Sequence, residues 1–193
     1  MLRKLCVIAA AAALVAAPLP SLAQGKKDSV VMGMTLEPPG LDPTNAAAAA
    51  IAEVTLYNVY ETLTKINEDG SVSPLLAESW QASPDLKTYT FKLRKGIKFH
   101  NGEPFDSAAV KFSFDRAAAP TSTNKDKSLY QAFASVTAPD PETVVVALKY
   151  SEPNLPFLLG QATGSIVEPK SAPTDATQPV GTGPYTLGSW AKG

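Results

Sequence analysis

The chain is poor in the side chains that carry thiol and imidazole chemistry. Its 193 residues include one cysteine, Cys6, and one histidine, His100. Cys6 falls inside a predicted export signal, so the mature chain would contain no thiol. A disulfide scaffold, thiol catalysis and thiolate metal sites are therefore excluded. With no second histidine and no carboxylate pair at ligand spacing, the sequence predicts no metal and no cofactor.

A large excess of charge of one sign is also missing. The 17 basic and 18 acidic side chains nearly balance, and loss of Arg3 and Lys4 with the signal leaves 15 basic and 18 acidic groups, a formal net charge of −3. Basic patches with interleaved aromatic side chains do not occur, so nucleic acid is not expected as a partner.

Long apolar runs are absent except at the N-terminus. Residues 5–17 form one such run, which follows Arg3 and Lys4 and precedes two prolines and small residues at 21–23. The run is too short and too rich in alanine for a permanent anchor, so residues 1–23 are predicted to be a cleavable secretion signal; a membrane-anchoring helix is the less favoured alternative. Gln24 stands where a lipoprotein needs cysteine, so the mature chain is predicted to be periplasmic and not lipid-anchored.

Local patterns predict short helices and strands that do not alternate strictly. Alternation over residues 87–94 is typical of a half-buried strand, and Asp106 before an apolar stripe predicts a capped helix over 107–118. Further strands are expected at 29–34, 63–66, 75–80, 143–148, 166–167 and 185–190, and further helices at 46–61, capped by Thr44 or Asn45, and at 155–159. This mixture favours an α+β domain with mixed sheets.

Enzyme chemistry is poorly supported. A serine–histidine–carboxylate triad needs a histidine, and His100 lies beside Asn101-Gly102 in a predicted turn. Gly181-Thr182-Gly183 does not indicate a phosphate loop, because Pro184 removes an N–H group and no helix follows. This stretch is predicted to be a chain reversal at the boundary of an element.

Tyr57 and Asn58 lie on the first predicted helix, which is apolar on nearly every side. A buried amide beside a phenol needs hydrogen-bond partners, and a ligand in a cleft can supply them. Most of the other aromatic side chains are expected in the core.

The order of the motifs carries more information than any single motif. In chain order they are Glu37-Pro38-Pro39-Gly40-Leu41-Asp42-Pro43, residues 57–64, Leu76-Ala77-Glu78-Ser79-Trp80, Ser83-Pro84-Asp85, residues 89–102, Pro104-Phe105-Asp106, Ala138-Pro139-Asp140-Pro141 and residues 179–185. This series resembles the family 5 extracellular solute-binding proteins, which serve dipeptide, oligopeptide and nickel ABC importers.

The resemblance implies a periplasmic receptor and not a catalyst. It would be a monomer that captures a small peptide or a similar solute and delivers it to an inner-membrane ABC permease. The implied fold is an incomplete lobe of the type II periplasmic-binding-protein kind, with the extra α+β domain typical of peptide binders. Residues 24–63 would begin lobe I, residues 64–177 would form the extra domain, and residues 178–193 would return into lobe I. Because family members continue for several hundred residues, the chain is expected to be an N-terminal portion.

Ligand-binding residues are expected in the loop before the first helix, on that helix and after the polar loop that follows residue 118. The candidates are Glu37, Pro38, Asp42, Tyr57, Asn58 and Tyr130, the last together with Gln131. Two alternatives stay open at this point: a truncated structural or interaction module, and, with less support, a periplasmic hydrolase.

Overall fold

A computed structural model describes residues 29–44 and 48–193. It divides the chain into two units, residues 1–34 and residues 35–193. The predicted signal at 1–23, Cys6, Gln24 and the predicted cap Asn45 lie outside the described residues.

The described part of the first unit, residues 29–34, has no regular secondary structure. The strand predicted here is wrong. Val30, Val31 and Met32 are 85%, 98% and 80% exposed, and no described strand pairs with them. An extended segment without a neighbour gains no ladder of hydrogen bonds, so its apolar content alone does not make it a strand.

The second unit contains one sheet of four strands and one of two strands, with short helices. The helices are α1 Ala49–Thr55, α2 Ser107–Ala118, α3 Lys127–Gln131 and α4 Leu155–Leu159, with 3₁₀ turns at Ala162–Gly164 and Ala172–Thr174. The strands are β1 Thr64–Ile66, β2 Val72–Pro74, β3 Ala77–Ala82, β4 Thr88–Leu93, β5 Phe133–Asp140 and β6 Thr143–Leu148. The large sheet has the order β3-β4-β6-β5, and every pair in it is antiparallel.

The alternation that predicted β4 is confirmed. Tyr89, Phe91 and Leu93 are buried, whereas Thr88, Thr90 and Lys92 are half-buried or exposed. The inward side chains of the neighbouring strand β6 are Val144, Val146 and Leu148, which are also buried. These two central strands supply much of the apolar surface on which the helices pack.

Helix α2 covers the inner face of the large sheet, with the bounds that the sequence predicts. The Asp106 carboxylate caps it by accepting a hydrogen bond of 3.0 Å from Ala109 N. Val110, Phe114 and Ala117 are buried in the main core. Phe114 lies 5.7 Å from both the Tyr130 and the Phe133 rings, measured between centroids.

Helix α1 ends much earlier than predicted. It stops at Thr55, and Tyr57 has a φ of +60°. Thr55 O accepts hydrogen bonds from the backbone N–H groups of Asn58, Val59 and Tyr60. The chain therefore turns sharply where apolar content predicted a helix to residue 61. Thr44 does not cap the helix either, because the cap position is Ala48 and the Thr44 hydroxyl bonds to Asp42.

Two further strand predictions are wrong. Ile166 and Val167 are fully buried, but their N–H groups donate to different partners, Glu61 O and Ser113 Oγ, instead of forming a ladder. Residues 185–190 have no regular structure. Within the described ranges, none of the helices has the length and apolar character needed to cross a membrane.

Candidate functional site

The loop of residues 37–44 is held at one end by an ion pair between a buried carboxylate and a half-buried guanidinium group. Asp42 is 4% exposed, and both of its carboxylate oxygens accept from Arg116, with Nη1 to Oδ1 at 3.1 Å and Nη2 bonded to Oδ2. Asp42 Oδ1 also accepts from Thr44 N at 3.0 Å and from Thr44 Oγ1 at 2.9 Å. The carboxylate of this predicted site residue is thus committed to protein groups.

A second buried carboxyl group lies beside this pair. Asp175 is fully buried, and burial, followed by the charge of Asp42, raises its pKa to about 6. Tyr60 is also fully buried, and burial, followed by the charge of Asp175, raises the pKa of its phenol far above its usual value. Tyr60 OH and Asp175 Oδ2 have no hydrogen-bond partner among the described residues.

The opposite end of the loop meets the last residues of the chain. Glu37 is exposed, and its carboxylate accepts from Gly193 N at 3.3 Å. Pro38 is buried. Lys192 Nζ donates to Pro39 O at 2.9 Å and lies 4.5 Å from the centroid of the Trp190 ring. The Glu37 carboxylate and the Lys192 ammonium group therefore each bond to a backbone group across the contact between this loop and residues 192–193.

An open cavity of about 610 Å³ adjoins this contact. Its walls come from the segment after the last 3₁₀ turn and from the C-terminal segment: Thr177, Gln178, Pro179, Val180, Leu187, Gly188, Ser189, Trp190 and Lys192. An indole ring, aliphatic side chains and a charged group that converge on one concave surface are typical of small-molecule sites.

Tyr57 and Asn58 lie at the turn after α1, and their polar groups are partly used by the protein. Tyr57 OH donates to Gly160 O at 2.9 Å and accepts from Ile66 N at 3.1 Å. Asn58 Nδ2 donates to Val54 O at 3.1 Å. The partners that the sequence argument assigned to a ligand are here supplied by backbone carbonyl and N–H groups.

The Gly181–Gly183 segment packs against this turn more closely than a side chain would allow. A Cβ atom on Gly181 would lie 1.9 Å from Val59 O, and one on Gly183 would lie 2.4 Å from Asn58 O. Gly183 N donates to Val59 O at 3.0 Å. The two glycines are therefore required for close approach of two backbones. Two glycines separated by one residue are the feature of the sequence that indicates this close backbone contact.

His100 holds the same segment. Its Nδ1 accepts from Gly181 N at 3.3 Å, so Nε2 carries the proton and donates to Gly183 O at 2.8 Å. His100 N donates to Gly181 O at 2.9 Å. Sequence reasoning placed His100 only in a turn and did not reveal this role. Both ring nitrogens are bonded to backbone groups, so the imidazole stabilises the fold and is not free to act as a catalytic base.

Tyr130 lies apart from the other predicted site residues. It is 2% exposed in the main core, and its OH donates to Thr163 O at 2.9 Å. Gln131 donates through Nε2 to Ala118 O at 3.4 Å. The structure thus places the loop of residues 37–42 against the C-terminal segment. It places Tyr57 and Asn58 against the Gly181–Gly183 segment, and Tyr130 lies at neither place.

Across the described ranges, no cluster of three or more histidine, cysteine, aspartate or glutamate side chains is arranged to hold a metal ion.

Comparison with known sequences gives one family. Residues 71–193 match the middle region of the bacterial extracellular solute-binding proteins, family 5. The chain is 35% identical over 154 residues to the glutathione-binding protein GsiB of Escherichia coli K12, covering 78% of this chain and 30% of the relative. The GsiB protein of Shigella dysenteriae is 35% identical over 181 residues, which covers 92% of this chain and 35% of the relative.

Solved structures give the same fold. The agropinic-acid complex of AgaA from A. tumefaciens R10 matches with a TM-score of 0.76 and 31% identity, over 81% of this chain and 32% of that one. Haemophilus influenzae OppA in complex with the peptide RPPGFSPFR matches with a TM-score of 0.74 and 26% identity, over 80% of this chain and 34% of that one. The mixed α/β structure therefore corresponds to part of a family 5 binding protein.

The chain spans about a third of the length of the relatives that it matches. The resemblance predicted from the motif order is confirmed, and the hydrolase alternative is not supported, because proteins of this family bind solutes and are not enzymes. With the family profile matching residues 71–193, this chain belongs to the bacterial extracellular solute-binding proteins, family 5.

Proposed function

We propose that this chain forms part of the solute-binding subunit of an ABC importer and acts in the periplasm, where it captures a small peptide of the size of glutathione for an inner-membrane permease. The observation that carries the proposal is the 35% identity to glutathione-binding proteins over most of this chain. The peptide complex of the related OppA supports the same class of solute.

The charges at the edge of the cavity suit a peptide. A peptide presents an ammonium group at one end and a carboxylate at the other, and charge-assisted hydrogen bonds to such groups are the stronger ones. Glu37 offers a carboxylate and Lys192 an ammonium group, while Trp190 offers an apolar face. We infer that Glu37 contacts the solute. Contacts from Pro38, Asp42, Tyr57, Asn58 and Tyr130 stay predictions.

The domain organisation is also a proposal. We infer that residues 24–63 and 178–193 belong to one lobe and residues 64–177 to an extra domain of the peptide-binder type. Three hydrogen bonds support the joining of the first two segments: Gly183 N to Val59 O, Tyr185 N to Asn58 O, and Thr182 Oγ1 to Glu61 Oε2, each at 3.0 Å or less. The large sheet and α2 lie entirely within residues 64–177.

Isothermal titration calorimetry on the chain tests the class of solute. Reduced glutathione is expected to bind saturably, with a dissociation constant in about the millimolar range, which corresponds to a binding free energy of about 4 kcal/mol. Glu37→Gln should weaken binding about tenfold by removing a charged acceptor. Glu68→Gln, at an exposed position in the β1–β2 turn, is the matched control and should bind as the wild type does. Saturable binding of nickel–histidine without binding of glutathione or of trialanine would contradict a peptide solute.

A further inference from the structure

The residues 37–44 loop has few backbone hydrogen bonds that could hold it in place. Among the described residues, one backbone hydrogen bond joins residues 35–44 to another segment, from Leu41 N to Ala176 O at 2.9 Å. Gly40 packs against the same residue: a Cβ atom added to Gly40 would lie 3.4 Å from Ala176 O. A segment with so little backbone bonding needs side-chain contacts to keep one conformation.

Asp42 supplies those contacts through Arg116. The guanidinium group meets the carboxylate as a fork with two parallel N–H···O bonds, and Arg116 Nη1 also bonds to Thr44 Oγ1. Arg116 lies in the last turn of α2, a helix fixed to the sheet by Val110 and Phe114. The helix therefore gives the guanidinium group a rigid base.

We propose that Arg116 is a positioning residue for the residues 37–44 loop, whose conformation it fixes by clamping Asp42. This inference deepens the proposed function, and it rests on that function only for the contact between Glu37 and a solute. The clamp requires arginine, because the planar fork matches both carboxylate oxygens, whereas lysine presents a single point charge.

Asp175 modulates the clamp. The charged and titratable groups that face it are Asp42, Arg116 and the phenol of Tyr60. Asp175 is fully buried, and its Oδ2 has no hydrogen-bond partner among the described residues. The next residue, Ala176, accepts the Leu41 N–H of the loop at 2.9 Å. An ionised Asp175 therefore repels the carboxylate of Asp42 close to the loop, and a protonated Asp175 does not. The loop should therefore be held more firmly at mildly acidic pH than at neutral pH.

Amide hydrogen exchange, followed by NMR on the full chain, tests the clamp without any ligand. Arg116→Lys should lower the protection factor of the Leu41 amide about tenfold at pH 7 and leave the amides of β4 and β6 unchanged, because local opening is decoupled from global unfolding. Lys111→Gln, which removes an exposed pair with Asp115 on the same helix, is the control and should change nothing. Unchanged protection at Leu41 in Arg116→Lys, or an equal loss in β4 and β6, would overturn the proposal.

The pH profile separates positioning from mere packing. The wild-type protection factor at Leu41 should rise as the pH falls from 7 to 5, and Asp175→Asn should raise it at pH 7 and remove that dependence. A profile that is the same in wild type and Asp175→Asn would refute the modulation by Asp175. Adding glutathione to the same samples keeps the two hypotheses apart: loss of Leu41 protection in Arg116→Lys without glutathione binding in the wild type supports the clamp and counts against the proposed solute.

Discussion

Asp175 carries a carboxyl group whose proton affinity depends on the fold. Burial, followed by the charge of Asp42, raises its pKa from 3.8 to about 6. In the unfolded chain the pKa returns to its ordinary value near 4. The folded state therefore binds more protons than the unfolded state between about pH 4 and pH 6, so the stability from this group is present below about pH 4 and is lost as the pH rises through about 6.

Replacement of Asp175 by asparagine should make the protein more stable at neutral pH. The shift corresponds to roughly 2–3 kcal/mol in the free energy of unfolding, which Asp175→Asn should recover in large part at pH 7.5 while giving no gain at pH 4. Urea unfolding at both pH values measures the difference. Asp85→Asn is the control, since Asp85 is exposed. A variant equally destabilised at both pH values would contradict the assigned ionisation.

Gly181 is a second residue whose role follows from one distance. A Cβ atom there would lie 1.9 Å from Val59 O, which is backbone and cannot move aside easily. Gly181→Ala should lower the free energy of unfolding by about 3 kcal/mol, at the upper end of the usual cost of overpacking. Gly188→Ala, at a position with nothing within 4 Å, should be neutral within about 0.5 kcal/mol. Equal effects of the two changes in urea unfolding would refute the close approach.

At the scale of elements, the sequence was most informative where periodicity and capping agree. Asp106, Val110 and Phe114 are spaced as a capped amphipathic helix requires, and α2 has the predicted bounds. The predicted and observed strands also agree at β4 and β6, where buried residues alternate with less buried ones along most of each strand. In these elements a local pattern and the tertiary environment favour the same structure.

The failures occurred where apolar content was used without such agreement. The turn after Thr55 depends on its carbonyl accepting three N–H groups and on the positive φ of Tyr57, neither of which hydrophobicity reports. Val30 and Val31 are exposed despite their strand propensity. The Arg116–Asp42 pair joins residues 74 positions apart, so spacing along the chain could not reveal it.

The cap of α2 gives a prediction for an element. Asp106→Ala should lower the free energy of unfolding by about 1 kcal/mol, because the N–H group of Ala109 loses its acceptor. Asp115→Ala removes an exposed carboxylate from the same helix and should cost less than about 0.5 kcal/mol. Thermal unfolding of both variants at one pH compares them. A larger loss for Asp115→Ala would show that capping does not determine the stability of this helix.

At the scale of the whole molecule, the motif order predicted the family, while single residues predicted the candidate site only in part. The loop of residues 37–42 does meet the C-terminal segment through Glu37 and Pro39. Tyr130 lies in the core instead, because an aromatic residue after a polar loop is more often buried than free to bind. The contribution of Lys192 was not visible in the sequence, since it arises from a contact with Pro39 across 153 positions.

The predicted signal at residues 1–23 can be tested in cells of a two-membrane bacterium. The mature chain is expected in the osmotic-shock fluid, with an N-terminus at or near Gln24 by mass spectrometry, because the apolar run is too short for a permanent anchor. Recovery of an uncleaved chain in the membrane pellet would contradict both the signal and the periplasmic location.

Binding of a small peptide in the cavity lined by Trp190 and Lys192 can be measured by an NMR titration of the ¹⁵N-labelled chain with glutathione. Saturable shifts are expected at the Glu37 amide, the Lys192 amide and the Trp190 indole N–H, with no shift at the Trp80 indole of strand β3. Absence of saturable shifts at Glu37, Trp190 and Lys192, or shifts confined to the large sheet, would contradict it.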